Sequence, residues 1–339
     1  MNDRFFVRFL PDEVGEGMSR PRLGTMSGKP LPIAVNWHLE AYCNYGCTFC
    51  YASFLEQRKQ SRITKEDGVK LVLDLAENGV RKLNFVGGEP MLHPFLDEWI
   101  IQAKQSGMTT SIVSNGTKME VDWLGKMRSS LDWLGLSIDA SDDTIHALMG
   151  RGLRGEIAKG ISLHLERTTE ILENAKRLGY GIKLNTVVTT HNLNDDMSEL
   201  VEKYRPDRWK IFKVLRIEGE NEGRVDSQLI TDLEFQEYVE RHQQRLEGLE
   251  GVDIVAEDNA DMLGTYAMID PLGKVYTNAT GSYLYSSKSA IEIGFEAAWN
   301  EVEQGFSVTG FEERGGDWDF RLPMLQSSEE AQRGVEFGG

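Results

Sequence analysis

Six short apolar segments, each followed by a helical pattern, constrain the fold of this 339-residue chain more than anything else in it. They are PIAVNWHLEA (32–41), RKLNFVGG (81–88), TTSIVSNG (109–116), WLGLSIDAS (133–141), GIKLNTVVTT (181–190) and RWKIFKVLRI (208–217). In the first, Ile33, Val35, Trp37 and Leu39 share one face at the two-residue period of a strand. After it, Thr64 can cap a helix with Asp67 three residues on; Val69, Val72, Leu73 and Ala76 form its apolar stripe, and Gly79 ends it. Further helices are expected from Phe95 to Gln105, closed by Gly107, and over one long stretch from Ile157 to Leu178. Strict strand–helix alternation builds a parallel sheet with crossover helices. Six units fall short of a closed eight-unit barrel, so the expected fold is α/β, an open, partial (βα)6 barrel. Residues 1–30, with Pro11, Pro21 and Pro30, read as an irregular lead-in; 31–228 form the core. Residues 229–339 read as a C-terminal extension with helices and a hairpin around IDPLGKVY.

Composition narrows the function. Lys plus Arg number 37 against 54 Asp plus Glu, a formal charge of −17. Such a surface repels nucleic acid polymers and anionic membranes, yet a local group of cations can still hold a small anion. No apolar run approaches the roughly 20 residues of a bilayer span. The start, MNDRFFVRFLPDEVG, lacks the long apolar region and cleavage site of a signal peptide. A cytoplasmic, monomeric protein with reduced thiols is expected.

All three cysteines, Cys43, Cys47 and Cys50, lie within eight residues, in CNYGCTFCY. Structural zinc takes four ligands, usually with a second pair well downstream. No second pair exists, so a zinc would take a histidine such as His38 as its fourth ligand or be a catalytic zinc held by the three cysteines. A [4Fe–4S] cluster usually takes four thiolates. Three leave one iron open to a small chelating molecule, such as the amino and carboxylate groups of a methionine. Tyr45, Phe49 and Tyr51 would help exclude water from such a cluster.

These residues match a family. CNYGCTFC resembles the cluster loop of the radical S-adenosylmethionine (SAM) superfamily. VGGEP, ending the second strand, is similar to the segment that binds the methionine amino group of SAM in that superfamily. The resemblance implies that Cys43, Cys47 and Cys50 hold a [4Fe–4S] cluster. It implies that Gly87, Gly88, Glu89 and Pro90 bind SAM, with Ser114, Asn115, Ser137 and Asp139 lining its ribose and adenine site. The chemistry implied is reductive cleavage of SAM to a 5′-deoxyadenosyl radical, which takes a hydrogen atom from the substrate.

The cations on the strands indicate what that substrate is. Lys82 and Asn84 share a strand face, as do Lys183 and Asn185, and Arg208 and Lys210. The residues between them are apolar and would pack on the helices, leaving the cations facing inward. Unpaired buried charge is costly, so these cations call for an anion, and a triphosphate would satisfy them. The alternative is internal salt bridges to Glu218 or Asp139, or that some of these side chains point to solvent.

The resemblance extends here to the viperin family of radical SAM enzymes. AVNWHLEAYCNYGCTFC, KLNFVGGEP, SIVSNG, GRG, KLNTVV, RWKIFKVLRIEGEN and GFEERGG are similar to successive viperin segments, from about residue 32 to 316. Viperins dehydrate nucleoside triphosphates: hydrogen is taken from the ribose 4′-carbon and the 3′-hydroxyl leaves. The 3′-deoxy-3′,4′-didehydro product terminates polymerase chains, and microbial members resemble anti-phage defence proteins. By motif, Lys82, Arg151, Lys183, Asn185, Arg208 and Lys210 correspond to the nucleotide and phosphate set. Asn36 corresponds to a residue near the ribose, and Tyr266 to a candidate proton donor to the departing hydroxyl. Arg314, Gly315 and Gly316 resemble a C-terminal phosphate loop. Residues 1–30 show no sign of the amphipathic membrane helix of animal viperins. A flavodoxin- or ferredoxin-type electron donor is implied by bacterial relatives, and the preferred base among CTP, UTP and GTP is left open. The competing readings are a radical SAM enzyme for another phosphorylated small molecule, and an iron–sulfur or zinc scaffold without catalysis.

Overall fold

The computed structural model describes residues 30–316. The irregular lead-in expected over residues 1–30 therefore lies, Pro30 apart, outside the described residues. All six expected strands form: β1 (Ala34–Glu40), β2 (Lys82–Gly87), β3 (Thr109–Ser114), β4 (Trp133–Ser137), β5 (Gly181–Val188) and β6 (Arg208–Lys213). They pair in chain order and in parallel. The sheet does not close on itself. Its order runs β10-β9-β8-β1-β2-β3-β4-β5-β6-β7.

The apolar pattern dictates which face packs on helices. On β2, Leu83 and Phe85 are fully buried; on β6, Trp209 and Ile211 are. Helix α1 (Lys65–Glu77) starts where expected, with the Thr64 hydroxyl accepting from the Asp67 backbone N–H, and Gly79 follows it at φ 81°. Helix α2 (Leu96–Gln105) packs on α1 through Trp99, whose indole N–H donates to Lys65 O at 3.0 Å. Trp99 stacks on Trp37 of β1, with ring centroids 4.6 Å apart.

The structure differs from the sequence reading in two places. The long helix expected over Ile157–Leu178 is broken. A short turn of helix, Arg154–Ile157, ends before Gly160 at φ 71°, and a second helix resumes at His164–Arg177. Glycine at that φ carries no steric cost and ends the first turn. Strand–helix alternation also continues beyond Leu229. The helix Asp232–Arg245 leads to a seventh parallel strand, β7 (Asp253–Glu257), which pairs with β6. The chain then crosses to the opposite edge. There β8 (Ala267–Ile269) pairs in parallel with β1, and β9 (Val275–Thr277) and β10 (Leu284–Tyr285) follow antiparallel, including the hairpin expected at IDPLGKVY. No helix among the described residues is long and apolar enough to cross a membrane.

Replacing Trp99 with Ala removes a fully buried indole from the α1–α2–β1 contact. We expect a loss of about 3–5 kcal/mol, measured as a fall in the urea midpoint with an unchanged slope.

Candidate active site

The cysteine loop begins where β1 ends, and the second motif is pressed against it. The Gly88 N–H donates to Glu40 O at 2.6 Å, and the Glu89 N–H to Tyr42 O at 2.8 Å. A Cβ on Gly88 would stand 2.4 Å from Tyr42 O, and one on Gly87 2.7 Å from Glu40 O. Both glycines are therefore required for the backbone of β2 to approach the segment preceding Cys43.

Cys43, Cys47 and Cys50 are free thiols lining one cavity, together with Gly87, Gly88, Ser114 and Asn115. Burial pushes the thiols of Cys43 and Cys47 up to about 12 and raises that of Cys50. Thiols so placed ionise when a bound metal supplies positive charge. The Tyr45 N–H points at Cys43 Sγ, 3.4 Å away, ready to stabilise a thiolate. Among the described residues, no three His, Cys, Asp or Glu side chains converge as they would around a single metal ion. A cubane asks for something different, three thiolates spread around a cavity, each on its own iron. The donor set fits a [4Fe–4S] cluster.

Glu89 is buried, and burial pushes its carboxyl up. It accepts from Ser114 Oγ at 2.7 Å, the Asn115 N–H at 2.8 Å and the Met91 N–H at 3.0 Å. Pro90 opens the short turn that follows, where its missing N–H costs nothing. Asn115 in turn donates to Asn44 Oδ1 at 2.8 Å, inside the cysteine loop. The ends of β2 and β3 are thus stitched to the three-thiol loop. Glu89 touches the cavity region through Ser114 and Asn115, which line it.

Ser137 and Asp139 also line the cavity. Asp139 forms a buried ion pair with Arg151 and accepts from the Val187 N–H at 2.9 Å. The guanidinium of Arg151 lies 5.4 Å from the centre of the Phe49 ring, within the cysteine loop. Arg151 thus sits on the thiol side of the cavity, apart from the other cations grouped with it by motif. His164 accepts from Tyr45 OH through Nδ1, at 2.9 Å, when its Nε2–H donates to Ser137 O at 2.7 Å.

The remaining cations gather toward the start of the strands. Strand register sets Lys183 beside Arg208 and Asn185 beside Lys210 on β5–β6, and Asn36 beside Asn84 on β1–β2. Asn84 Nδ2 donates to Asn36 Oδ1 at 3.0 Å. All of these, with Lys82, line the same cavity. Lys82 and Lys183 hydrogen-bond each other. Desolvation, with the neighbouring positive charges, lowers Lys82 to about 7 and depresses Lys183 as well. Desolvation likewise takes Lys210 to about 8.

The sequence reading missed Glu257, at the end of β7. It is fully buried, yet Lys210 and Arg314 outweigh the desolvation and keep its carboxyl below the usual range. Lys210 Nζ lies 2.5 Å from Glu257 Oε1 and donates to Tyr266 OH at 3.1 Å; the Tyr266 hydroxyl donates to Glu257. Arg314 stacks 3.8 Å from the centre of the Tyr266 ring and donates to Thr265 Oγ1 and Thr265 O, each at 2.9 Å. Gly315, at φ 72°, lies over Arg208, where a Cβ would meet Nη2 at 3.3 Å. Of the two internal partners considered for the cations, Asp139 pairs with Arg151, while Lys210 pairs with Glu257 and Arg208 with Asp253, at 3.3 Å, neither of which was considered. Glu218 instead lies exposed. A signal for Glu257 did exist: in VDIVAE, residues 253, 255 and 257 alternate with Ile254 and Ala256.

The model of the radical SAM superfamily matches residues 41–204. An S-adenosylmethionine-dependent nucleotide dehydratase of Flammeovirga pacifica is 36% identical over 302 residues, covering 87% of this chain and 99% of that protein. The chain belongs to the S-adenosylmethionine-dependent nucleotide dehydratases of the radical SAM superfamily. Its similarity reaches animals: the dehydratase RSAD2 of Danio rerio is 31% identical over 310 residues, covering 87% of this chain and 79% of that one. In fold, the chain resembles Streptococcus suis SuiB bound to S-adenosylmethionine, with a TM-score of 0.64 and 15% identity, over 84% of this chain and 68% of that one. The enzymes of this superfamily use a [4Fe–4S] cluster and SAM, and those are the cofactors of this chain.

Gly88→Ala places a methyl group against fixed backbone. We expect it to lower iron retained after anaerobic reconstitution and to lower the melting temperature. Gly125→Ala, inside the helix Val121–Met127 where a Cβ meets nothing within 4 Å, should lower neither.

Proposed function

We propose that this enzyme dehydrates a ribonucleoside triphosphate (CTP, UTP or GTP) to its 3′-deoxy-3′,4′-didehydro analogue, a polymerase chain terminator that serves antiviral or anti-phage defence. The observation that carries this reading is the row of cations on β2, β5 and β6, Lys183 and Arg208 buried and Lys82 and Lys210 half-buried, in the same cavity as the three thiols. Cys43, Cys47 and Cys50 would hold the cluster; Gly87, Gly88, Glu89, Pro90, Ser114, Asn115, Ser137 and Asp139 would frame SAM. Together those cofactors supply a 5′-deoxyadenosyl radical that takes the ribose 4′ hydrogen.

The chain's own residues do the rest. Lys82, Lys183, Arg208 and Lys210 hold the phosphates, and Arg314 with Gly315 covers them from the C-terminal side. Asn36, fixed by Asn84, and Asn185 orient the sugar. Once the 4′ hydrogen atom is taken, departure of the 3′-hydroxyl as water needs one proton and one further electron, the electron coming from the same external carrier that would reduce the cluster. Tyr266 would be the donor, supported by its contact with Lys210 and by the hold of Glu257 on both. The Asp139–Arg151 pair steadies the thiol side. An external one-electron carrier of the flavodoxin or ferredoxin type would reduce the cluster.

Incubating the reduced, reconstituted enzyme with CTP, UTP, GTP and ATP in competition tests the reading. A didehydro nucleotide with 5′-deoxyadenosine is the expected result, and none from any of the four refutes it. Glu257→Gln should lower turnover by about 10²-fold or more, with a smaller effect on nucleotide affinity; equal losses in both would make it a binding residue only. Lys210→Ala should weaken nucleotide binding and leave uncoupled SAM cleavage measurable.

The depressed lysines add a pH dependence. Without nucleotide, Lys82 and Lys210 lose their protons near pH 7 and 8. A bound triphosphate favours the charged forms and raises both pKa values, so binding takes up protons. Affinity should therefore fall as pH rises above about 7. Calorimetry at pH 8 in two buffers of different ionisation enthalpy measures the uptake.

A further inference from the structure

The sequence IEGEN follows β6, and nothing in the cavity chemistry explains it. Its contacts are with the far side of the cysteine loop. Glu220 Oε2 accepts from the Ser53 N–H at 3.0 Å, from Ser53 Oγ at 2.8 Å and from the Phe54 N–H at 3.0 Å. Asn221, fully buried, donates through Nδ2 to Phe49 O at 2.9 Å and to Leu215 O at 2.8 Å, while its Oδ1 accepts from the Ile217 N–H at 2.8 Å. Arg224 Nη2 reaches Cys50 O at 3.4 Å, and Thr48 Oγ1 donates to Gln228 Oε1 at 3.1 Å. Thr48, Phe49, Cys50, Ser53 and Phe54 are thus each held by the segment 217–228.

A second, independent observation marks this as more than packing. Phe54 is fully buried and adopts φ 47°, the left-handed region that a bulky residue avoids. Such a conformation costs about 1–3 kcal/mol and persists only where the surroundings fix it. The Glu220 carboxylate, accepting from the Phe54 N–H and its neighbour, supplies that fixing. The strain lies four residues beyond Cys50, where the chain turns away from the thiols.

The clamp is continuous with the substrate strand. Arg208 and Lys210 sit on β6; the chain runs through Leu215, which lines the cavity, into Ile217 and Asn221. A shift of β6 on closing around an anion would reach the Cys50 flank along the chain from Lys213 to Asn221 and then through the Asn221 hydrogen bond to Phe49 O.

We infer that the Ile217–Gln228 loop, through Glu220 and Asn221, couples nucleotide binding on β6 to the hold of the cysteine loop on its cluster. Glu220 and Asn221 are positioning residues: neither lines the cavity. The inference rests on the nucleotide reading above, and its test separates the two.

Reconstituted holoenzyme is exposed to a chromogenic ferrous-iron chelator, with and without an equimolar mixture of CTP, UTP, GTP and ATP. Equilibrium dialysis against the same mixture measures nucleotide bound. In the unaltered protein, nucleotide should slow iron release by about five-fold or more. Glu220→Ala should bind nucleotide as before but lose that protection, and Glu220→Gln, which keeps one acceptor oxygen, should restore part of it. Unchanged protection in Glu220→Ala overturns the inference, as does bound nucleotide giving no protection in the unaltered protein. Should Glu220→Ala fail to assemble a cluster, Ser53→Ala carries the test. It removes the hydroxyl contact and leaves both N–H donors, so reduced protection supports the coupling and full protection overturns it. No nucleotide bound by the unaltered protein refutes the functional reading, and the coupling with it.

Discussion

Lys82, Lys183, Arg208 and Lys210 stand on the inner face of one parallel sheet, largely withdrawn from water. Desolvating a cation is expensive, and the depressed lysine pKa values report that cost. The sheet can impose it because the opposite faces of the same strands bury Leu83, Phe85, Trp209 and Ile211 against helices. Glu257 offsets part of the charge, and it sits where it also fixes Tyr266 and Arg314. On the proposed function, the cavity is an anion site held ready by the core, at the cost of some stability in its nucleotide-free form.

The cluster end is governed by distance rather than charge. Two glycines allow β2 to lie against the start of the cysteine loop, and Glu89 gathers three donors from β3 and its own turn. The thiols are buried enough to resist ionisation until iron arrives. One motif thus serves two purposes: the approach that frames a small ligand also fixes the geometry of the loop.

Much of this was legible in the sequence. The six strands show because each carries a two-residue alternation long enough to stand out. The cysteine loop and VGGEP show because residue type and spacing both matter there. The seventh strand was not legible in the same way: DIVAE is short and begins and ends with a charge, so it reads as surface. Only its pairing with β6 turns Glu257 inward. The long-helix expectation failed at Gly160, where backbone freedom outweighed a helical pattern on either side. Arg151 was grouped with the phosphate cations by motif; its ion pair with Asp139 and its place over the Phe49 ring, in the cysteine loop, are contacts that the motif alone does not show. Contacts between distant segments, such as Glu220 with Ser53 and Phe54, have no local signature at all.

The strands also set a length scale. Lys82 opens β2 and Gly87 closes it. At roughly 3.3 Å per residue that interval is about 17 Å, with cations toward one end and the cofactor frame at the other. On the proposed function, a nucleotide anchored by its terminal phosphate would be measured against this ruler. A tail shortened by one phosphate would then leave the sugar short of the reacting end or the anchor empty, and selection by tail length would follow from the strand.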